Sequence, residues 1–385
     1  MHIVTTTPDL AEFCARAAEA PYVTVDTEFL RERTYYSKLC LIQLAYRGDG
    51  ETDAILVDPL ADGLSLDPLM DLFRNPDVVK VFHAARQDLE IFSIEYGVIP
   101  EPLFDTQVAA MVAGFGEQVG YETLVRKIAK QSLDKSSRFT DWSRRPLSDS
   151  QKVYALADVT HLRQIYEYLR KRLEESGRAK WVEEEIATLL DPATYVTKPE
   201  DAWMRVKTRS NAPRFLALVK ELAKFREAHA QARNVPRNRV FKDDALVELA
   251  SIKPKDMSDL GRTRLLLREA RKGDIANGIL KAVHTAQSLP KDQLPKIDNP
   301  RQSPQVNPAL ADLLRVLLKA KTEASGVASK LIASAAELDA LASGERDVPS
   351  LSGWRREVFG EDALRLCNGS VGLAAKGKTV RIIEL

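Results

Sequence analysis

Two acidic side chains stand two positions apart at the end of an apolar stretch near the N-terminus. Residues 22–30 read YVTVDTEFL, in which Asp26 and Glu28 follow alternating apolar residues. Side chains two apart on a strand point to the same face, so we expect these carboxylates side by side. Such a pair repels itself and resists burial unless a cation lies between its two members. An exposed strand end would also explain two acids at this spacing. The pair therefore indicates a metal site only if other acids lie close to it.

Two further acids lie on predicted helices. Asp88 stands about one turn into a helix that follows an apolar strand, in VFHAARQDLEIF. Tyr154 and Asp158 are four apart in VYALADVTHL, so both project from one helical face. An aspartate on an apolar helical face needs an arginine, a cap or a metal as its partner. An ion pair between Asp158 and Arg86, with Tyr154 as an ordinary core residue, is the alternative.

These residues are positioned by elements that alternate in type along the first half of the chain. Hydrophobic periodicity predicts strands at 22–30, 39–46, 54–58 and 78–83, and helices at 66–75, 84–96, within 105–130 and at 148–175. Ser148 and Gln151 resemble a capping box at the start of the last helix. Strands followed by alternating strands and helices indicate an α/β domain with a mixed sheet.

The rest of the chain is predicted to be mostly helical, with no convincing strand pattern before the last few residues. It contains a repeat, because VPRNRVFKDDALVELA (235–250) aligns without gaps with VASKLIASAAELDALA (327–342). An amphipathic helix is predicted before each copy. Two helical segments can match by chance, so a duplicated module and a coincidence of apolar periods are both open.

Charge is distributed unevenly along a chain whose formal net charge is +1. Residues 1–200 carry 33 acidic and 23 basic side chains, whereas residues 201–290 carry 10 acidic and 19 basic. An acidic region suits metal cations and a basic module suits a polyanion, although two solvated surfaces would look the same. Phe241 lies within the densest basic run and is expected to belong to the core. The basic residues of that run are Arg233, Arg237, Arg239 and Lys242.

Composition excludes several classes of protein. Every apolar run is far shorter than the roughly 20 residues of a membrane helix. The first residues, MHIVTTTPDLAEF, lack the basic and apolar segments of a secretory signal. The three cysteines are scattered and odd in number, which argues against a disulfide framework or a zinc site. We therefore expect a cytoplasmic protein with no association with membranes.

Together the spaced residues match a known set of motifs. D-T-E on a strand, H-A-x-x-x-D on a later helix and Y-x-x-x-D on a late helix are similar to the three exonuclease motifs of the DEDD superfamily, in its tyrosine subclass. The stretches 80–92 and 133–162 resemble the ribonuclease D family, and the basic segment from Leu216 resembles a helicase-and-ribonuclease-D C-terminal (HRDC) module. The segment after Asn307 is similar to a diverged second copy, so the resemblance covers nearly the whole chain.

This resemblance implies a domain organisation. A ribonuclease H-like 3′-5′ exonuclease domain with a mixed sheet is expected first, followed by two small all-α modules of the HRDC kind. The expected boundaries are 1–190 for the exonuclease domain, 191–212 for a linker, 213–288 for the first HRDC domain, 289–306 for a second linker, and 307–385 for the diverged HRDC-like domain.

The resemblance also implies an activity, which is hydrolysis of RNA from its 3′ end with release of nucleoside 5′-monophosphates. Two Mg²⁺ or Mn²⁺ ions about 3.5–4 Å apart would activate water and stabilise the leaving 3′ oxygen. By the same resemblance, Asp26 bridges both ions, Glu28 and Asp158 help to hold the ion that activates water, and Asp88 supports the other. Tyr154 orients the attacking water.

Substrates and partners follow from the same family. Phe29 and His83 are expected to contact the terminal nucleotides, although Phe29 equally suits a core position. The implied substrates are RNAs with a free 3′ end, such as precursor transfer RNA and other small structured RNAs, handled by a monomer without an obligate protein partner. A DNA-directed exonuclease of the same superfamily and a nonenzymatic RNA-binding protein are the competing interpretations.

Overall fold

The structure is a computed structural model that describes residues 3–48, 50, 52–134, 137, 139–295 and 306–385. Two compact units can be distinguished, one made of residues 1–28, 40–194 and 300–385 and the other of residues 29–39 and 195–299. Most of the predicted linker 289–306 lies outside the described residues, as do three positions of the ribonuclease D-like stretch 133–162. The bounds of the five predicted segments stay predictions.

A six-stranded sheet forms the centre of the first unit. Its strands follow the order β1-β4-β3-β2-β5-β6. Strand β1 is parallel to β4, β2 to β5 and β5 to β6, whereas β3 and β4 are antiparallel. The sheet is therefore mixed, as the sequence predicts. The strands are β1 (Ile3–Val4), β2 (Tyr22–Leu30), β3 (Lys38–Tyr46), β4 (Ala54–Val57), β5 (Val79–Phe82) and β6 (Leu103–Asp105).

Helices cover this sheet, and most begin with a recognisable signal. Helix α6 starts at the capping box that the sequence predicts, in which Ser148 and Gln151 each bond the other's backbone. The helices of this part are α1 (Thr7–Ala18), α2 (Asp67–Arg74), α3 (Arg86–Tyr96), α4 (Thr106–Val112), α5 (Tyr121–Leu124), α6 (Asp149–Glu175) and α7 (Ala179–Leu190), with a π turn at Val125–Ala129 and a 3₁₀ turn at Pro192–Thr194.

The two faces of β2 meet different helices. Thr24 donates from its hydroxyl to the carbonyl of Val159 in α6 at 2.9 Å, and Tyr22 packs with apolar residues of that helix. The neighbouring Thr27 instead donates to Asp88 of α3. Since side chains alternate along a strand, Asp26 shares the α6 face with Tyr22 and Thr24. The end of β2 therefore brings residues of α3 and α6 within reach of one another.

Some elements of this part differ from the sequence prediction. Strands β1 and β6 and helix α1 were not predicted, and the helical periods within 105–130 are interrupted by a loop at 113–120. Gly114 and Gly116 in this loop have φ values of 87° and 101°. A residue with a side chain rarely adopts such angles, so the glycines end the helix despite the apolar spacing around them.

The second unit is helical and packs around an apolar core. Phe241 is fully buried in this core, which confirms its predicted role, and the guanidinium of the buried Arg226 lies over its ring. The residues 29–39 belong to the same unit, where Asn234 accepts hydrogen bonds from the backbone of Tyr35 and Tyr36 at 3.0 Å. The helices are α8 (Pro213–Arg233), α9 (Arg237–Val240), α10 (Asp243–Ile252), α11 (Met257–Gly261) and α12 (Gly273–Ser288), with 3₁₀ turns at Pro199–Arg205, Glu269–Arg271 and Lys291–Gln293.

The C-terminal segment forms part of the first unit. It has its own apolar core but is not wholly helical, because it ends in a β-hairpin. The expectation of an all-α module did not include this hairpin. Within the unit, Ala328 donates to the carbonyl of Met111 at 3.1 Å, and Trp354 stacks on Trp181 at 4.8 Å. Its elements are α13 (Pro308–Ser325), α14 (Ser329–Ile332), α15 (Ala335–Ala342), α16 (Gly353–Arg355), α17 (Glu361–Cys367), β7 (Val371–Lys376) and β8 (Thr379–Glu384), with a 3₁₀ turn at Pro349–Leu351 and a π turn at Arg356–Gly360.

The aligned repeat coincides with a repeated arrangement of elements. Helices α8, α9 and α10 of one copy correspond in order to α13, α14 and α15 of the other. The first helix of each copy ends at an aligned residue in the left-handed conformation, Asn234 with φ 48° and Gly326 with φ 73°. The following short helices, Arg237–Val240 and Ser329–Ile332, begin and end at aligned positions. Chance periodicity does not produce this agreement at a helix end, which favours duplication.

Candidate active site

A cavity of about 240 Å³ in the first unit is lined by four of the residues singled out in the sequence. Asp26 at the end of β2 and Asp158 with Tyr154 on α6 line it, and His83 lines it from the turn after β5. Tyr121, Glu122 and Thr123, which the sequence did not single out, are further polar residues of its lining. Four of the residues predicted from three separate motifs therefore share one cavity.

Electrostatics link Asp26 to two other buried acids. Burial, and next the charge of Asp158, hold the pKa of Asp26 well above its usual range. Burial, and next the charge of Asp26, do the same for the pKa of Asp88, although the hydroxyl of Thr27 donates to that carboxylate. Asp88 and Asp158 are only 6% and 7% exposed. The site itself thus opposes ionisation of Asp26 and Asp88, and a nearby positive charge would favour their ionisation.

The chemistry of these donors fits a hard divalent cation. Carboxylate oxygens are the ligands that Mg²⁺ and Mn²⁺ prefer, and a cation relieves both burial and mutual repulsion. Among the residues described by the structure, however, no three acidic, histidine or cysteine side chains converge closely enough to enclose one ion. The acids instead interact electrostatically in two pairs, Asp26 with Asp158 and Asp26 with Asp88. Glu28 is half-buried on the same face of β2 as Asp26 but does not line the cavity.

The remaining predicted contacts have different environments. Phe29 is half-buried and follows Glu28 on β2, and it is not among the residues that line the cavity. The predicted alternative for Asp158 is not formed, because Arg86 is exposed and donates instead to the carbonyl of Thr194 at 3.4 Å. Asp158 therefore keeps its position beside Asp26 without that ion pair.

Tyr154 is supported by residues that the sequence analysis did not identify. The ring of Trp142 lies 6.1 Å from that of Tyr154. Next to Trp142, the guanidinium of Arg145 donates two hydrogen bonds of 2.6 Å to the carboxylate of Asp58 and one of 2.8 Å to the carbonyl of Trp142. Burial of Asp58 acts in the opposite direction, but hydrogen bonds led by that from Arg145 lower its pKa. This ion pair anchors the loop that carries Trp142.

Tyr121 bonds directly to the backbone of α6. Its hydroxyl donates to the carbonyl of Asp158 at 2.6 Å, and burial, followed by the charges of Asp158 and Asp26, raises its pKa well above the usual range. It therefore remains a neutral hydroxyl that fixes the turn of α6 carrying Asp158. A tyrosine at the start of a short helix gives no sequence signal of this role, since the contact spans 37 positions.

A second candidate site lies on the surface of the second unit. A cavity of about 410 Å³ is lined by Arg233 and Arg239 from the predicted basic run, together with His229 and Lys272. Arg233 also forms an exposed ion pair with Asp274 at 3.0 Å. Arg237 and Lys242 are exposed but do not line this cavity, and Lys272 lines a neighbouring one with Arg268 and Arg271. The sequence missed Lys272 because it lies far from the dense run.

Comparison with known proteins identifies the class that this fold and site define. The family model described as 3′-5′ exonuclease matches residues 1–174, and the HRDC domain model matches residues 215–283. The chain is therefore a 3′-to-5′ exonuclease that carries an HRDC domain. It is 65% identical to ribonuclease D of Jannaschia sp. (strain CCS1) over 384 residues, with full coverage of both chains. It belongs to the ribonuclease D family and is an exoribonuclease, a hydrolase of RNA.

Further relatives agree with this assignment. Ribonuclease D of Granulibacter bethesdensis is 50% identical over 384 residues, covering 99% of this chain and 96% of that protein. The crystal structure of Escherichia coli RNase D, described as an exoribonuclease involved in structured RNA processing, matches with a TM-score of 0.83 and 32% identity, covering 96% of this chain and 98% of that one. The DEDD exonucleases generally use divalent metals.

The residues described by the structure include no helix with both the length and the apolar character required to cross a membrane.

Proposed function

We propose that the cavity at the end of β2 hydrolyses the terminal phosphodiester of RNA with two divalent cations, Mg²⁺ or Mn²⁺. The observation that carries this proposal is the grouping of the half-buried Asp26 with two buried acids, Asp88 and Asp158, whose charges act together with that of Asp26. Bound cations would supply the positive charge that activates water and stabilises the leaving 3′ oxygen. Natural proteins rarely bury several acids together without such a function, because the arrangement destabilises the fold.

Individual residues would divide the work by position. Asp26 would contact both ions, since it interacts electrostatically with both other acids. The charge of Asp158 raises the pKa of Asp26, and the charge of Asp26 raises the pKa of Asp88. Glu28 would complete the set from the same face of β2. Tyr154, on the same helical face as Asp158, would orient the attacking water. Tyr121 and Trp142 would keep that face of α6 in place.

The second unit would hold the RNA chain. Its basic cavity offers the side chains of Arg233, Arg239, Lys272 and His229, which suit phosphate oxygens and give affinity without sequence preference. Precursor transfer RNA and other small structured RNAs are the proposed substrates, in keeping with the structured RNA processing in which the Escherichia coli relative is involved. We assign this work to a cytoplasmic monomer, in keeping with three free cysteines.

The C-terminal copy of the repeat would not bind RNA in the same way. The four aligned positions of the basic run hold no cation in that copy, and the corner that carries them packs within the first unit. Ser329 donates to Glu117 at 2.6 Å, and Lys330 pairs with the same carboxylate at 3.2 Å. We propose that residues 307–385 form a diverged HRDC-like module that supports the exonuclease domain. The aligned positions are Ser325, Ser329, Leu331 and Ser334.

The experiment that tests the two-metal proposal is digestion of a 3′-end-labelled and a 5′-end-labelled RNA with Mg²⁺, Mn²⁺ or a chelator. Wild type should release nucleoside 5′-monophosphates stepwise from the 3′ end only when a cation is present, and Asp26→Asn should abolish release. Asp77→Asn is the matched control, since Asp77 is an exposed acid that does not line the cavity. Full activity in chelator, or in Asp26→Asn, would overturn the proposal.

A further inference from the structure

His83 occupies a fixed position in the wall of the catalytic cavity. It follows β5 in a turn in which Ala84 has a φ of 57°, and the carboxylate of Asp105 accepts from the backbone of Ala84 at 3.0 Å and of Ala85 at 2.9 Å. The ring of Tyr121 lies 5.5 Å away. Both the backbone and the imidazole ring are therefore held in place before any substrate binds.

Hydrogen bonds determine which ring nitrogen carries the proton. Nδ1 of His83 lies 3.0 Å from the hydroxyl oxygen of Thr106, and that hydroxyl also lies 3.0 Å from the carbonyl oxygen of Phe82. A carbonyl can only accept, so the single hydroxyl proton of Thr106 goes to Phe82. The hydroxyl oxygen must then accept from His83, which places the ring proton on Nδ1 and a lone pair on Nε2.

Nε2 is left available to a ligand. It has no hydrogen-bond partner among the residues that the structure describes, yet it is not one of the buried polar atoms sealed from solvent. Because His83 lines the catalytic cavity, that space is where its accessible nitrogen can meet a ligand. Burial lowers the pKa of His83, so the ring is neutral at physiological pH and offers an acceptor there.

We propose that Nε2 of His83 accepts a hydrogen bond from the 2′-hydroxyl of the 3′-terminal nucleotide and so makes a ribose end a better substrate than a deoxyribose end. An enzyme that removes every nucleotide in turn needs contacts common to all four, and the sugar hydroxyls are donors that all four share. The 2′-hydroxyl is the one that separates RNA from DNA. The inference rests on the proposed function, because it places the terminal nucleotide in the cavity beside Asp26.

The test compares three RNA substrates that differ only in the last nucleotide, which is a ribonucleotide, a 2′-deoxynucleotide or a 3′-deoxynucleotide. For wild type, kcat/KM should favour the ribose end over the 2′-deoxy end by about 3- to 10-fold, the worth of one neutral hydrogen bond. His83→Phe keeps a ring beside Tyr121 but has no acceptor. It should bring the ratio of kcat/KM for the ribose end to kcat/KM for the 2′-deoxy end close to 1.

A second residue tests the tautomer without altering the cavity wall. Thr106 is buried and does not line the cavity, but Thr106→Val removes the acceptor that holds the proton on Nδ1. The preference for a ribose end should decrease in Thr106→Val and return in Thr106→Ser. In ¹⁵N spectra of the wild-type chain, Nε2 of His83 should have the shift of an unprotonated ring nitrogen.

Several outcomes would overturn the inference. One is an unchanged preference for the ribose end in both His83→Phe and Thr106→Val, and another is a change confined to the 3′-deoxy substrate. A protonated Nε2 would also contradict it. Misfolding is recognised separately, because it lowers activity on all three substrates together. If Asp26→Asn remained active, the proposed function would fail instead, whatever His83→Phe showed.

Discussion

Replacing Asp26 by asparagine should stabilise the protein in the absence of divalent cations while it abolishes catalysis. The carboxylate of Asp26 is buried, and the charges of Asp158 and Asp88 are coupled to it. Asparagine has nearly the same shape and keeps an oxygen that can accept from the backbone of Thr27, as the carboxylate does. The substitution thus removes a charge that opposes folding and little else.

The magnitude follows from the cost of burying an unfavourable polar group, about 1–3 kcal/mol and more for a charge. In a chelator, Asp26→Asn should raise the free energy of unfolding of the first unit by about that amount. The unfolding temperature of a domain of 150–250 residues changes by about 2–4 °C for each kcal/mol. With Mg²⁺ or Mn²⁺, wild type should become the more stable of the two proteins, because only wild type retains the full set of ligands that binds the cation in the native state.

The pH dependence has a defined sign. The pKa of Asp26 is raised in the folded protein, so its contribution to stability is fully present below its unfolded pKa of about 3.9. That contribution is lost as pH rises through the folded pKa. Without cations, the stability difference between Asp26→Asn and wild type should therefore grow with pH across this range.

Thermal unfolding in chelator and in Mg²⁺, at several pH values, would measure these effects. Asp105→Asn is the matched control, since Asp105 is also buried but accepts from the backbone of Ala84, Ala85 and Gln107. It should destabilise the protein in both conditions, because an amide nitrogen would face one of those donors. A loss of stability for Asp26→Asn in chelator, or no gain for wild type with cation, would refute the reasoning.

Four further outcomes are expected. Tyr154→Phe should lower kcat by roughly 10²- to 10⁴-fold, the usual worth of a positioned proton-transfer or water-orienting group, with little change in RNA affinity measured in chelator. Arg145→Lys should destabilise the first unit by about 1–3 kcal/mol in urea unfolding, because lysine cannot form both bonds to Asp58. Lys272→Ala should reduce the salt dependence of RNA binding by about 0.7 in log–log slope, and an unchanged slope would contradict its phosphate contact. Trp354→Ala should cost about 3–5 kcal/mol, because Trp354 is 2% exposed and stacked, and a cost below 1 kcal/mol would show that the C-terminal segment does not depend on this contact.

Much of the fold and the site could be predicted because their signals are local. Strand β2 shows its alternation over nine residues, and helix α6 carries a capping box and an apolar face. Strands β1 and β6 have only two and three residues, too few to show any period. Their positions are determined by pairing with distant strands, which no local pattern encodes.

The supporting residues of the site were missed for a similar reason. Arg145 anchors its loop by donating to Asp58, 87 positions away. Tyr121 donates to the carbonyl of Asp158 in α6. Either residue alone is an ordinary member of a polar loop or a short helix. The carboxylates could be found because their spacing follows a strand and two helices, whereas the contacts that hold those elements together depend on tertiary structure.

The two copies of the repeat share a backbone arrangement but differ in their surface side chains. In both copies the first helix ends in a left-handed residue, and the corner that follows receives another segment of the same unit. Asn234 accepts from the backbone of residues 35–36, and Gly326 brings its carbonyl oxygen to 3.1 Å from where a Cβ on Gly114 would lie. A shared backbone thus supports two different intramolecular contacts. The cations of the first copy are absent from the aligned positions of the second, so the basic run is a property of the side chains of the first copy and not of the backbone that the two copies share.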